Sequence, residues 1–209
     1  MLSPAKVSAR GFATPALLCV GLSVSTSPAR GADAPEITPA GIVYGAAPGV
    51  GFSGPMGVAI DQRRGEVLVA NTGAHQIEIY DMTGRFRARY IHRVRGRDAR
   101  SVPGEPGDLA IDAAGHTLVV DLRAPYVDVL DFRGWPVAKL DVAMPRGGCG
   151  PAPSVTAIAV TPQGTILVAT GGDSSGIRTF DRLYRPTGCW GVAGRDSGRL
   201  HVGCCRNGT

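Results

Sequence analysis

Six polar residues recur at breaks in this 209-residue chain and could carry chemistry. Asn71, Thr72 and His75 lie in one segment, Asp121 and Arg123 follow 50 residues after Asn71, and Asp173 comes 52 residues after Asp121. Amide, carboxylate and imidazole groups of this kind bind ligands, and with His116 they could supply donors to a divalent cation. No spacing among them specifies a metal site. The chain has no Gly-Lys-Ser/Thr phosphate loop and no Cys-x-x-Cys-His haem attachment, so no cofactor is expected. Taken singly, Asn71 and Asp121 read as residues that shape their own turns. Asp61, Asp81, Asp112, Asp131 and Asp181 recur at strand ends, and repetition of that kind argues for structure over catalysis.

A second feature is basic. Arg85, Arg87, Arg89, Arg93, Arg95, Arg97 and Arg100 fall close together, countered only by Asp98. Alternation of Arg85, Arg87 and Arg89 with Phe86, Ala88 and Tyr90 puts the arginines on one face of a strand. Charge on an edge strand blocks edge-to-edge pairing. It could also dock an anionic partner: lipid headgroups, an acidic glycan or an acidic protein. The chain carries 22 basic and 17 acidic residues, too small an excess to imply nucleic acid.

The elements that must position these groups are short strands in a long repeat. Gly57-Val58-Ala59-Ile60-Asp61 recurs as Asp108-Leu109-Ala110-Ile111-Asp112 and Ala157-Ile158-Ala159-Val160-Thr161, spaced 51 and 49 residues apart. Each copy continues with Val67–Ala70, Thr117–Val120 or Ile166–Ala169, then with Ile77–Asp81, Val127–Asp131 or Ile177–Asp181. The internal spacings from Asp61 to Asp81, Asp112 to Asp131 and Thr161 to Asp181 are 20, 19 and 20. Runs this short, rich in Val, Ile and Leu and broken by Gly or Asp, are strands. A fourth extended segment follows at Arg85–Ile91, Trp135–Leu140 and Thr187–Trp190. Four antiparallel strands per unit predict an all-β fold of propeller blades, and the near-constant spacing favours blades over a β-sandwich. In such a unit the second-to-third-strand loop and the link to the next blade leave on one face. That places the six polar residues together, beside Arg93 to Arg100.

The first copy reads Pro55-Met56-Gly57-Val58-Ala59-Ile60-Asp61, then Val69-Ala70-Asn71-Thr72-Gly73-Ala74-His75-Gln76-Ile77, then Tyr80-Asp81. It resembles the NHL-repeat family closely. The second copy departs at Asp121–Pro125 and the third at Thr170–Gly176, changing the loop while keeping the strands. The resemblance spans roughly residues 41–203 and implies blades of NHL type. It implies a binding or interaction scaffold without catalysis. The alternative it carries is a metal-dependent hydrolase or lyase, since related propellers include calcium-dependent lactonases and a zinc-dependent amidating lyase.

Residues 1–29 contain Lys6 and Arg10, no acid, and the apolar run Ala16–Val24 before Ser27-Pro28-Ala29. Basic, then apolar, then small residues describe a secretory signal, so export to the periplasm or the extracellular space is expected. An organelle transit peptide is the rival reading. The apolar run is too short to span a bilayer, so no transmembrane span is expected. Without this leader, Cys149, Cys189, Cys204 and Cys205 remain, and outside the cytosol an even count suggests disulfides, with Cys149 and Cys189 one candidate pair.

Blades are expected over 30–203, with Ile42-Val43-Tyr44 as the outer strand of a preceding blade and 204–209 an aberrant tail. After Gly198-Arg199-Leu200 another Pro-x-Gly-Val-Ala run should follow. The chain reads His201-Val202-Gly203-Cys204-Cys205 instead. Three copies fall short of the four to eight blades that close a ring. The expectation is an incomplete propeller, an open arc from a truncated or frame-shifted gene, with self-association of the arc, or a product without independent function, as alternatives. Leaving about 500 Å² of apolar blade face bare would forfeit roughly 12 kcal/mol.

Overall fold

The computed structural model describes residues 41–47, 50–96, 100–142, 154–171 and 175–191. The expected leader and tail, with Arg97, Cys149, Asp173, Cys204 and Cys205, lie outside them. The described chain is almost entirely β, built as three four-stranded antiparallel sheets in succession. Blade 1 holds β1 (Pro55–Asp61), β2 (Glu66–Asn71), β3 (Gln76–Asp81) and β4 (Phe86–Ile91). A two-stranded hairpin follows, β5 (Arg93–Arg95) with β6 (Ser101–Pro103). Blade 2 holds β7 (Pro106–Ile111), β8 (Thr117–Asp121), β9 (Tyr126–Leu130) and β10 (Pro136–Asp141). Blade 3 holds β11 (Ser154–Val160), β12 (Ile166–Gly171), β13 (Gly176–Phe180) and β14 (Pro186–Trp190). No helix among the described residues is long and apolar enough to cross a membrane.

Local chemistry makes each meander. The recurring aspartates close the turns as expected. Asp81 Oδ1 accepts from the Thr83 and Arg85 amides, Asp131 Oδ1 from Arg133 and Trp135, and Asp181 Oδ1 from Leu183 and Arg185. These bonds hold the Asp81 and Asp131 carboxyls below the usual range; the largest contribution comes from the Thr83 hydroxyl in one case and the Trp135 amide in the other. Gly84 and Gly134 supply the positive φ these turns need, at 84° and 81°. Blade 3 has Tyr184 there instead, at φ 63°. Its hydroxyl donates to Asp112 Oδ2 at 2.6 Å, so the strained position ties blade 3 to blade 2.

Two sequence expectations change. Ile42-Val43-Tyr44 forms no strand; no neighbouring strand among the described residues pairs with it, and the segment lines a groove on blade 1. The stretch from Arg93 to Arg100, expected as a connection, contributes β5 and the approach to β6.

The cores lie between blades. Ala59, Leu68 and Ile77 of blade 1 cluster with Leu109, Val119 and Leu130 of blade 2. Ala110, Leu118 and Val127 of blade 2 cluster with Ile158, Val168 and Phe180 of blade 3. Every residue of β8 is buried because the middle blade is covered on both faces, whereas β12 alternates between buried and half-buried. The innermost strands approach closely at Gly57, where a Cβ would lie 2.7 Å from the Gly107 carbonyl oxygen and 2.8 Å from Asp108 Cα. Gly57→Ala should therefore cost about 1–3 kcal/mol in urea unfolding. Gly41→Ala, where a Cβ meets nothing within 4 Å, should leave the midpoint unchanged.

Candidate binding site between blades one and two

The structure brings most of the expected ligand-face residues together, as a seam between blades 1 and 2. Asn71 Oδ1 accepts from the Ser53 amide at 2.7 Å, and Asn71 Nδ2 donates to Glu78 Oε1 at 2.7 Å. The Tyr80 hydroxyl donates to the other Glu78 oxygen, and burial first, then this bond, raises the phenol above its ordinary pKa. Thr72 opens a short 3-10 turn, Thr72–Ala74, and its hydroxyl donates to the Pro106 carbonyl at 2.7 Å. His75 closes that turn at φ 59°, and its Nδ1 donates to the Gly104 carbonyl at 2.6 Å. Asp121 Oδ1 accepts from the Arg123 amide at 2.8 Å, while Arg123 pairs with Glu105 at 2.5 Å. Asn71, Thr72 and Asp121 are buried, His75 is half-buried, and Arg123 is exposed. Their polar groups are largely committed to holding the seam, a role the turn-former reading anticipates. His116, grouped with them as a possible donor, is half-buried elsewhere against Asp112 and Tyr184.

Beneath the seam is a cluster that motif reading missed. His92, just past β4, is buried with its Nε2 at 3.4 Å from Asp121 Oδ2 and 3.5 Å from Asp128 Oδ2. Neither His92 Nε2 nor Asp121 Oδ2 forms a hydrogen bond among the described residues. Gly104 makes room for the contact, since a Cβ there would lie 2.1 Å from Asp121 Oδ2. Burial, aided by the Lys139 charge, lowers His92 to about 4. Burial also raises Asp128 to about 6, opposed by Lys139 and supported by Asp121, and pushes Asp121 upward. The signal was available in the repeat: Glu78, Asp128 and Arg178 occupy the same buried position of the third strand, at intervals of 50 residues. A charged residue at the same buried strand position in every copy marks a polar site within the stack.

His92, Asp128 and Leu130 are the buried members of a cleft of about 300 Å³, whose lining also includes Arg93, Ser101, Trp135 and Lys139. Lys139 Nζ lies 3.7 Å from Asp128 Oδ1 and 3.8 Å from the centre of the Tyr126 ring. The Arg93 guanidinium is held by the Ser101 hydroxyl at 2.9 Å and carbonyl at 2.8 Å. Trp135 is 68% exposed. Together these groups offer a flat apolar surface, two cations and a buried carboxylate. Among the described residues no group of three His, Cys, Asp or Glu side chains is arranged to hold a metal ion. Gly172-Asp173-Ser174-Ser175-Gly176 has the spacing of a nucleophile elbow, and its first three residues lie outside the described residues.

The basic patch borders this cleft. Arg85, Arg87, Arg89, Arg93, Arg95 and Arg100 are all exposed. β4 is the edge strand of its sheet; a register shift in its pairing with β3 sets Phe86 against Tyr80 and Tyr90 against Ile77, so the two half-buried rings lie on opposite faces and the expected alternation is broken. Arg87 lies 3.5 Å from Glu66 and 3.9 Å from Asp81, while Arg85, Arg89 and Arg95 make no ion pair among the described residues. Cys189 on β14 is disulfide-bonded, and the four other cysteines all lie outside the described residues.

No protein-family profile matches the chain, and no curated protein matches it by sequence. Solved structures do resemble it in fold. It is 19% identical to hydrazine synthase of Kuenenia stuttgartiensis, with a TM-score of 0.48 over 71% of this chain and 39% of that one. Against virginiamycin B lyase of Staphylococcus aureus the identity is 16% and the TM-score 0.48, over 70% of this chain and 44% of that one. Against the Dos1 propeller they are 12% and 0.47, over 66% and 34%. The chain spans less than half the length of each of these proteins.

The buried cluster makes a signed prediction about pH. A carboxyl raised by folding contributes stability that is lost as pH rises from its unfolded value to its folded one, for Asp128 between about 4 and 6. A histidine lowered by folding does the opposite, adding stability as pH rises from about 4 to 6.5. The two oppose each other in the native chain. His92→Gln should leave a stability that falls by roughly 2 kcal/mol from pH 4 to 6, and Asp128→Asn should give one that rises by a similar amount. Urea unfolding across this range reads both slopes.

Proposed function

We propose that this chain is an exported, non-catalytic propeller scaffold of NHL type that binds an acidic polysaccharide along the outer edge of blade 1. One observation carries the reading: all six described arginines of the patch are exposed, on the turn before β4, on β4, on β5 and at Arg100, and Arg85, Arg89, Arg93 and Arg95 make no ion pair among the described residues. A polyanion docking there loses few internal contacts. The adjacent cleft adds an exposed indole beside Lys139 and Arg93. That pairing suits a pyranose ring bearing an acid group, because the ring's flat C–H face packs on an aromatic while its charge meets a cation. The leader-like residues 1–29 support export, and the match of blade 1 to the NHL pattern supports a scaffold role.

The test is retention on immobilised polygalacturonate or heparin. Arg85→Glu, Arg89→Glu and Arg95→Glu combined should weaken binding roughly tenfold, with the difference shrinking at 1 M salt, because each exposed charge contributes about 0.2–1 kcal/mol. Retention unchanged by the triple reversal would refute the site. Stoichiometric calcium or zinc together with lactone turnover would move the chain to the hydrolases or lyases.

A further inference from the structure

Every blade has a rear face toward the blade before it and a forward face toward the blade after it, and the two differ in shape. Forward faces carry Ala59, Leu68 and Ile77 in blade 1 and Ala110, Leu118 and Val127 in blade 2. Rear faces carry Leu109, Val119 and Leu130 in blade 2 and Ile158, Val168 and Phe180 in blade 3. Each interface therefore sets a bulky residue of one innermost strand against a surface whose own innermost strand offers alanine. The rear face also holds the ionisable position of the third strand, Asp128 in blade 2 and Arg178 in blade 3.

Two faces remain, and they repeat this pattern in the same register. The forward face of blade 3 carries Ala159, Leu167 and Ile177. The rear face of blade 1 carries Val58, Val69 and Tyr80, with Glu78 at the ionisable position; Tyr80 and Glu78 are already buried, Tyr80 edge-on against Phe52, so the open part of this face is its innermost strand. No described blade covers either one. On blade 1, Met56, Val58 and Ile60 are 62%, 64% and 51% exposed along a single innermost strand. Beside them is a groove of about 760 Å³ with Phe52, Val67 and Val69 in its walls. Ala157 and Ala159 are exposed on blade 3. A monomer that leaves one such strand face bare has an unmet interface.

We propose that two copies of this chain associate head to tail, the forward face of blade 3 in each seating on the rear face of blade 1 in the other. The occupant follows from continuity with the two interfaces already built: the free faces bear the residues that pack twice within the chain, so the surface that fits each is a blade of this same repeat. Two such contacts related by a two-fold axis close a ring of six blades, within the four to eight that propellers use. This assembly is independent of the polysaccharide reading, since it uses the sheet faces rather than the arginine edge.

Sedimentation equilibrium and light scattering on the full chain test it. The native protein should run as a dimer, and Val58→Arg or Ala159→Arg should each give a monomer. A one-to-one mixture of the two variants should recover a dimer, because the intact forward face of Val58→Arg still meets the intact rear face of Ala159→Arg. Far-UV circular dichroism checks each variant first. If either fails to fold, Ile60→Asp replaces it on the rear face and Ala157→Arg on the forward face. A native monomer, a dimer indifferent to the forward-face variants, or an open ladder of higher oligomers would each overturn the proposal.

Discussion

A four-stranded sheet with apolar residues on both faces cannot stand alone in water, and every other feature of this molecule answers to that fact. Its two faces must both be covered, and among the described residues the surfaces that do so are other sheets of its own kind. Bulky side chains at Leu109 and Ile158 meet forward faces that carry Ala59 and Ala110, so large residues are matched to small ones across each interface. The middle blade shows the result, with a second strand buried from end to end. Gly57 belongs to the same constraint: with no Cβ, it lets two innermost strands come close enough for the faces beside them to engage.

Stacking also decides what polar groups can do. A charged residue in the third strand of each blade is carried into the stack with its neighbours, and each blade handles it differently. Glu78 is satisfied by Asn71 and Tyr80. Asp128 faces His92 and Lys139, and beside it His92 Nε2 and Asp121 Oδ2 are left close together but unbonded. Burial drives the acid upward and the base downward, so the interior favours the neutral forms of both. The seam above, from Thr72 to Pro106 and from His75 to Gly104, fixes the blades at the depth where this cluster lies. The outer edge is free of that constraint, and there the arginines reach water.

Much of this was legible from residue order. Strand positions, turn glycines and the capping aspartates follow from local rules, and the four-stranded sheets form where the repeat predicts them. The edge position of β4 followed from the repeat, but its strict alternation did not survive, because a register shift against β3 puts Phe86 and Tyr90 on opposite faces. The candidate site was less readable. Asn71, Thr72 and Asp121 were expected on a ligand face, yet their side chains turn into the seam, because the loop of one blade packs on the start of the next. His92 carried no motif, and its partners Asp121 and Asp128 lie 29 and 36 residues away.

The sequence by itself determined the repeat, the strands within it, their turns and the charged edge, because each depends on side chains within a few residues of one another. The tertiary structure alone decided which polar groups were exposed and which were buried, and so where a ligand could reach. Arg123 and Asp121 differ by two positions on one turn, yet one is in water and the other is sealed against His92. That difference is set by a neighbouring blade, at a distance along the chain that no local pattern encodes.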